Sequence, residues 1–170
     1  IWSKGFSTLT RRKVRAAQKN GVVIERDTTG KFASVFHHLY MLSIDRWAEQ
    51  ANEPLPLARL RARSRDPLAK FESIAKTLGD ACHIWVATID GVPAASTIVL
   101  QFGNANYSRN AMDKELAGRS GANDLILNMA IQEACEAGCR YFHLGESGSS
   151  SGLDEFKSRF GAVGVPYAEY

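Results

Sequence analysis

The sequence predicts an α/β sandwich, a mixed and mostly antiparallel sheet flanked by helices. Three observations carry this. Apolar residues recur at helical spacing in several segments, most strongly from about Lys31 to Glu49. Two apolar runs, Cys82 to Ile89 and Val92 to Phe102, flank Asp90-Gly91, a dipeptide that favours a two-residue hairpin turn. Near the end, a helix, a short aromatic strand and a second helix alternate with two loops of small residues, Gly118–Asn123 and Gly145–Gly152. A chain of 170 residues is long enough for one domain with a substantial core.

Taken in order, Phe6, Thr10, Val14 and Ala17 share one face of a helix over Ser7–Asn20, with Arg11, Arg12, Arg15 and Lys19 opposite. Asn20-Gly21 ends it. Val22 to Arg26 reads as a short strand, and Thr28 to Gly30 as a turn. Phe32, Val35, Phe36, Leu39, Tyr40 and Trp47 set the period of the second helix. Asn52 to Pro56 breaks the pattern with two prolines. Asp66-Pro67 starts the next helix, with Asp66 as cap and Pro67 in the first turn. Its core face is Leu68, Phe71, Ile74, Ala75 and Leu78, and Gly79 stops it. The hairpin follows, then a third strand over about Asn106–Met112. The Gly118–Asn123 loop precedes a helix from about Ala122 to Ala137, apolar on much of its surface and suited to burial against the sheet. Arg140 to Leu144 reads as a strand buried in the sheet. Ser151 starts a helix, with Asp154 completing an approximate capping box. Leu153, Phe156 and Phe160 share its inner face, with Lys157 at the edge. Val163 to Tyr170 closes the chain as a last strand.

Composition excludes several function classes. Hydrophobic residues are 45% and charged residues 23%, normal for a globular domain. No apolar run is long enough to span a membrane, and no signal-peptide pattern opens the chain, so a cytoplasmic setting is expected. The first residue is Ile1 rather than Met, which suggests a piece of something longer. The net charge of +3 is too mild to imply nucleic acid. Its distribution is uneven: Arg11, Arg12, Lys13, Arg15 and Lys19 crowd the first helix, and Arg59, Arg61, Arg63 and Arg65 alternate further on. Either group suits a phosphate-bearing ligand or a solvated face. Cys82, Cys135 and Cys139 have no metal spacing and read as reduced thiols or small core residues.

Chemistry concentrates in the two small-residue loops. A glycine-rich loop before a helix offers unpaired N–H groups and the positive end of the helix dipole, and Arg119 adds a forked donor, so Gly118–Asn123 could hold a pyrophosphate or be an ordinary helix start. Gly145-Glu146-Ser147-Gly148-Ser149 nearly matches the nucleophile elbow G-x-S-x-G, but Ser149 stands where the last glycine belongs. No histidine follows His143 to complete a triad. No Gly-Lys-Ser/Thr forms a Walker loop. Lys157 could bind phosphate, steady a developing oxyanion, or extend its charge from the edge of an apolar face. Glu146, at a strand end, suits a general base toward an amine or a solvated carboxylate. His143 reads as a core histidine, and His37 and His38 have no partner in view. Arg46 and Trp47 could line a substrate cleft.

The element order resembles that of the GNAT acyltransferase fold. The closing motif is more particular: G-C-R-Y-F-H-L-G-E-S, a small-residue loop, then G-L-D-E-F-K-S-R-F-G is similar to the Fem-type branch and its BioF2-like acetyltransferase relatives, where "G…yfdfG" precedes "gl..fK..fG". The segment Arg11 to Val22 resembles the "rr.irkA.k.Gv" helix that opens those domains. The resemblance implies transfer of an acyl group from an acyl-CoA-like thioester, or from an aminoacyl-tRNA, to an amine, without a covalent enzyme intermediate. Small-molecule or lipid-linked amines of cell-envelope or polysaccharide precursors are the implied acceptors. Lys157 inherits a substrate contact from the family lysine, and Glu146, read from its place at the strand end, joins it as the second candidate catalytic residue. Arg119, Ser120, Gly121 and Asn123 fall on the donor-binding position; apart from the resemblance, Arg46, Tyr107 and Ser147 are the candidate substrate-binding residues. Two departures stand out. The usual loop pattern Q/R-x-x-G-x-G/A is not met, because Arg119-Ser120-Gly121-Ala122 is shorter, which weighs against acetyl-CoA. His143 stands where the family often has Asp. Fem-type enzymes often carry two such domains, so residues 1–170 are expected to form a single GNAT-like domain, the C-terminal part of a longer chain with an upstream partner domain. A non-catalytic, acceptor-binding half is the remaining alternative.

Overall fold

The computed structural model describes residues 4–147 and 150–165, with the side chains of residues 105–108 left aside. The sheet has five strands in the order β1 (Val23–Asp27), β2 (Cys82–Ile89), β3 (Val92–Phe102), β4 (Asn104–Met112) and β5 (Phe142–His143). The first four are antiparallel, and β5 runs parallel to β4. The β2–β3 hairpin turns at Asp90 and Gly91, both with positive φ (50° and 78°), the conformation a two-residue turn needs to match the strand twist. Between β3 and β4 the register jumps from Ile98↔Arg109 to Val99↔Tyr107, so Ser108 is an extra residue in β4 and forms a bulge.

Helices cover both faces. On one side lie α2 (Ala33–Gln50), α3 (Leu55–Arg65) and α4 (Leu68–Leu78). Phe36, Leu39, Ile44 and Phe71 pack there on Ile84, Ile98 and Ala111. On the other side lie α1 (Thr8–Lys19), α5 (Lys114–Ser120) and α6 (Ala122–Glu136), where Val14, Ala17, Leu125 and Ile126 meet Trp85, Ala87 and Val99. A smaller cluster of Phe6, Leu127, Ile131 and Phe160 docks α7 (Ser151–Ser158) onto α1 and α6. The Ser7 side chain caps α1 by accepting the Thr10 N–H at 3.1 Å.

Several expectations are corrected. Helices α3 and α5 stand where none was expected. The prolines read as breakers begin α3: Pro54 precedes it and Pro56 lies in its first turn, where a missing N–H is harmless. Only Ala58 and Ala62 of α3 are buried, so no apolar stripe marks it in the sequence. Gly118–Asn123 is not a loop, since α5 runs to Ser120, Gly121 is a left-handed joint, and α6 starts at Ala122. Asp66 does not cap α4, because its carboxylate turns inward. The strand expected at Arg140–Leu144 pairs only at Phe142 and His143, and it lies at the sheet edge with Tyr141 and His143 exposed. Ser150, not Ser151, caps α7, and Leu153 and Trp47 are each close to half exposed rather than core. Cys135 is exposed. Residues 163–165 form no strand, and residues 166–170 of the expected last strand lie outside the described residues.

Candidate functional site

The sheet opens between β4 and β5. Their parallel ladder comprises Ala105↔Phe142 and Asn106↔His143. Beyond it, among the described residues, no strand pairs with that edge of β4 from Tyr107 to Met112, while the chain turns away from β5 into the Leu144–Ser150 loop. Exposed strand backbone facing a small-residue loop is a natural seat for an extended ligand. The start of α6 stands behind it, tied to β4 by the Asn110 amide donating to the Asn123 Oδ1 at 2.6 Å.

Gly145 is pinned on both sides where the chain leaves β5. Its N–H donates to His143 Nδ1 at 3.1 Å, and its carbonyl accepts from Lys157 Nζ at 2.8 Å. A positive φ of 71° makes glycine the fitting residue there. Lys157 reaches this point because Phe156 and Phe160 anchor α7, with ring centroids 5.2 Å apart. Burial pulls the Lys157 ammonium below the ordinary lysine range, against the opposing fields of Asp154 and Glu146. Glu146 itself is exposed, and Ser147 is half-buried in the same loop. The structure thus brings Lys157, Glu146 and Ser147 to one end of the opening.

The other candidates are spread out. Arg119 lies on the outer face of α5, 72% exposed and 3.5 Å from Glu115. Ser120 is buried, donating to the Leu116 carbonyl at 2.7 Å and accepting the Ala122 N–H at 3.3 Å. Asn123 is buried against β4. Arg46 donates to the Met112 carbonyl at 3.4 Å, at the far end of β4, with its guanidinium 5.7 Å from the centre of the Trp47 ring. Burial lowers its pKa, and Asp113 opposes that. Tyr107 pairs with Val99 in the sheet, and its side chain lies outside the described residues.

Two of the three buried aspartates among the described residues, Asp66 and Asp124, stand out by their surroundings. Asp66, fully buried, accepts from Tyr40 Oη (3.0 Å), Arg65 Nε (2.8 Å), Lys70 Nζ (2.9 Å) and Arg109 Nη1 (2.7 Å). Burial alone would raise its pKa, but these hydrogen bonds together outweigh it and hold the carboxyl well below the usual range. They tie α2, α3, α4 and β4 together. Asp124, in the first turn of α6, is 3.9 Å from Lys13 and buried, and its Oδ1 has no hydrogen-bond partner among the described residues. Burial raises its pKa, against the fields of Lys13 and Arg159. Nothing in local pattern marks either as special, since an Asp before Pro and an Asp in a first helical turn are ordinary choices.

Among the described residues, no three His, Cys, Asp or Glu side chains gather as a metal site would require, and no helix is long and apolar enough to cross a membrane. A groove of about 500 Å³ between α1 and α6, walled in part by Val14, Gln18, Ile131 and Cys135, contains none of the candidate residues.

Residues 4–158 match the family described as "Acetyltransferase (GNAT) domain". The chain belongs to the GNAT acetyltransferase family. It is an acyltransferase domain, and its antiparallel sheet between helices is the GNAT architecture. Similar solved structures include FemX, with a TM-score of 0.70 and 14% identity over 92% of this chain and 54% of that one. A GCN5-related N-acetyltransferase from Ralstonia eutropha JMP134 aligns at 0.64 with 12% identity, over 88% of this chain and 97% of that one. Aminoglycoside N-acetyltransferase AAC(6')-Iy in complex with CoA aligns at 0.59 with 10% identity, over 88% and 92%. At these identities the likeness is one of fold. This GNAT chain spans about half the length of the FemX chain it matches. No curated protein sequence matches it.

Proposed function

We propose that this GNAT domain transfers an acyl group from a thioester or an aminoacyl ester to an amine of a cell-envelope or polysaccharide precursor. The observation that carries the proposal is the opening between β4 and β5 with Lys157 held at its end by the Gly145 carbonyl. The amine nitrogen attacks the acyl carbonyl, a C–N bond forms, the C–S or C–O bond to the carrier breaks, and the amine loses one proton. Positioning and charge stabilisation supply most of the acceleration in such a reaction. Lys157, an N–H donor beside a backbone carbonyl, suits the developing oxyanion or the acyl chain. Glu146, exposed next to it, suits the departing proton. Arg46 and Tyr107 on the β4 side would meet the acceptor, with Ser147 in the facing loop.

A second reading, an aminoacyl-tRNA-dependent peptidyltransferase of the Fem type, is favoured by the fold likeness to FemX and by the F-K-S-R-F-G segment that carries Lys157. On that reading the chain is one half of a two-domain protein. The test is amide formation, followed by mass spectrometry, with acyl thioesters or charged tRNA as donor and a muramyl-peptide or amino-sugar acceptor. Transfer abolished by ribonuclease selects the Fem reading, and transfer from a thioester without RNA selects the first. Absence of amide from every donor class rejects both and leaves an acceptor-binding role.

A further inference from the structure

We infer that the start of α6 is closed to a donor pyrophosphate, with Asp124 as the specificity-determining residue, so that this domain recognises its activated acyl donor through another part of the carrier. The inference rests on the acyl-transfer reading above. A helix N-terminus attracts anions because its first-turn N–H groups lack partners and the helix dipole favours negative charge. In α6 the chain itself supplies one such partner and an acidic side chain. The Ala122 N–H donates to Ser120 Oγ at 3.3 Å. The Asp124 carboxylate lies buried in that first turn, 3.9 Å from Lys13 Nζ. An acidic group thus already sits in the first turn, and one of the amides a phosphate would need is taken.

Space and charge agree. Gly121, the joint before α6, is pressed against α1: a Cβ placed there would come 2.9 Å from the Lys13 carbonyl oxygen and 3.3 Å from the Ala17 Cβ. Ala122, Asn123 and Asp124, the first residues of α6, are all buried. The cations facing this point, Lys13 and Arg159, act on Asp124. Arg119, the forked donor that the sequence places next to the joint, faces solvent beside Glu115 on α5. A pyrophosphate brought here would meet a carboxylate instead of free amides. The short Arg119-Ser120-Gly121-Ala122 segment is the sequence counterpart of this closure.

The test is an amide-resolved NMR titration of the folded, ¹⁵N-labelled chain with CoA, and separately with inorganic pyrophosphate. At millimolar ligand the Gly121–Leu125 amides are expected to stay in place, whether or not CoA shifts amides elsewhere. Saturable shifts on those amides overturn the closure. Asp124→Asn keeps the side-chain shape and removes the charge, and is expected to give CoA-dependent shifts on those amides that the wild type lacks. Unchanged amides in that variant overturn the assignment to Asp124. Failure of the acyl-transfer reading is seen separately, as absence of amide product with any donor, and does not alter these shifts.

Discussion

Lys157 Nζ donates a 2.8 Å hydrogen bond to the carbonyl of Gly145, joining α7 to the turn where the chain leaves β5. One side chain therefore holds the loop and presents a cation at the sheet opening. Lys157→Ala is expected to lower turnover at saturating acceptor by about a hundredfold, the cost typical of losing one oxyanion-stabilising donor. Lys157→Arg should recover part of it. Steady-state kinetics on the full chain check this, and a variant whose KM rises while kcat holds would support the acceptor-binding role.

Asp66 predicts a large stability effect. Its removal leaves Arg65, Lys70, Arg109 and Tyr40 without their common acceptor. Asp66→Ala should cost about 3 kcal/mol, the low end for breaking a buried ion pair, because the cations reach solvent. Urea unfolding measures it. The sign with pH follows from the depressed pKa: the stabilisation is complete above the ordinary carboxylate range and is lost as pH falls through the folded value. The acid limb of wild-type stability, below about pH 4, should flatten in the variant.

Asp124 behaves in the opposite sense. Its pKa is raised by burial, so its contribution to stability is complete below the ordinary carboxylate pKa and is lost as pH rises through the folded value. Asp124→Asn should melt higher than wild type at neutral pH, and the difference should vanish near pH 4, about the ordinary carboxylate value. Thermal melts across pH decide it.

Gly121→Ala meets two obstacles, a φ of 73° and the Lys13 carbonyl oxygen 2.9 Å from the new Cβ. A loss of about 2 kcal/mol is expected, combining left-handed backbone strain with displacement of α1. Gly118→Ala, with open space at its Cβ and a helical position, is the control and should be neutral or stabilising.

The three thiols should separate by reactivity. Cys135 is exposed and Cys139 half-buried. Burial, with Asp27 adding to it, pushes the Cys82 thiol up to about 11. With a disulfide reagent at neutral pH, Cys135 should react first, Cys139 more slowly, and Cys82 only on unfolding. Fast reaction of all three would contradict the packing of β2.

Much of the fold was legible because it rests on short-range rules. Asp90-Gly91 placed the hairpin, and the strands on either side begin and end where their apolar runs do. The periods of α1, α2, α4 and α6 followed from apolar spacing. Helix α3 was hidden because its contact with the core is two alanines among arginines, and α5 because Gly118 lies inside it. Among the candidate site residues, Lys157 was named from a motif, while the contact it makes was not. Its partner, the Gly145 carbonyl, is a backbone atom that no residue type announces.

By itself the sequence determined four of the helices by their apolar period, the hairpin, the absence of metal spacing among its cysteines, and the motif that carries Lys157. Each depends on neighbours within a turn or a strand. The tertiary structure alone decided that Asp66 is the meeting point of three cations and a tyrosine, that α1 seats against Gly121, and that Asp124 is buried at the start of α6 beside Lys13. Those facts depend on residues far apart in the chain, and a charge has no fixed role until packing sets its burial and its partners.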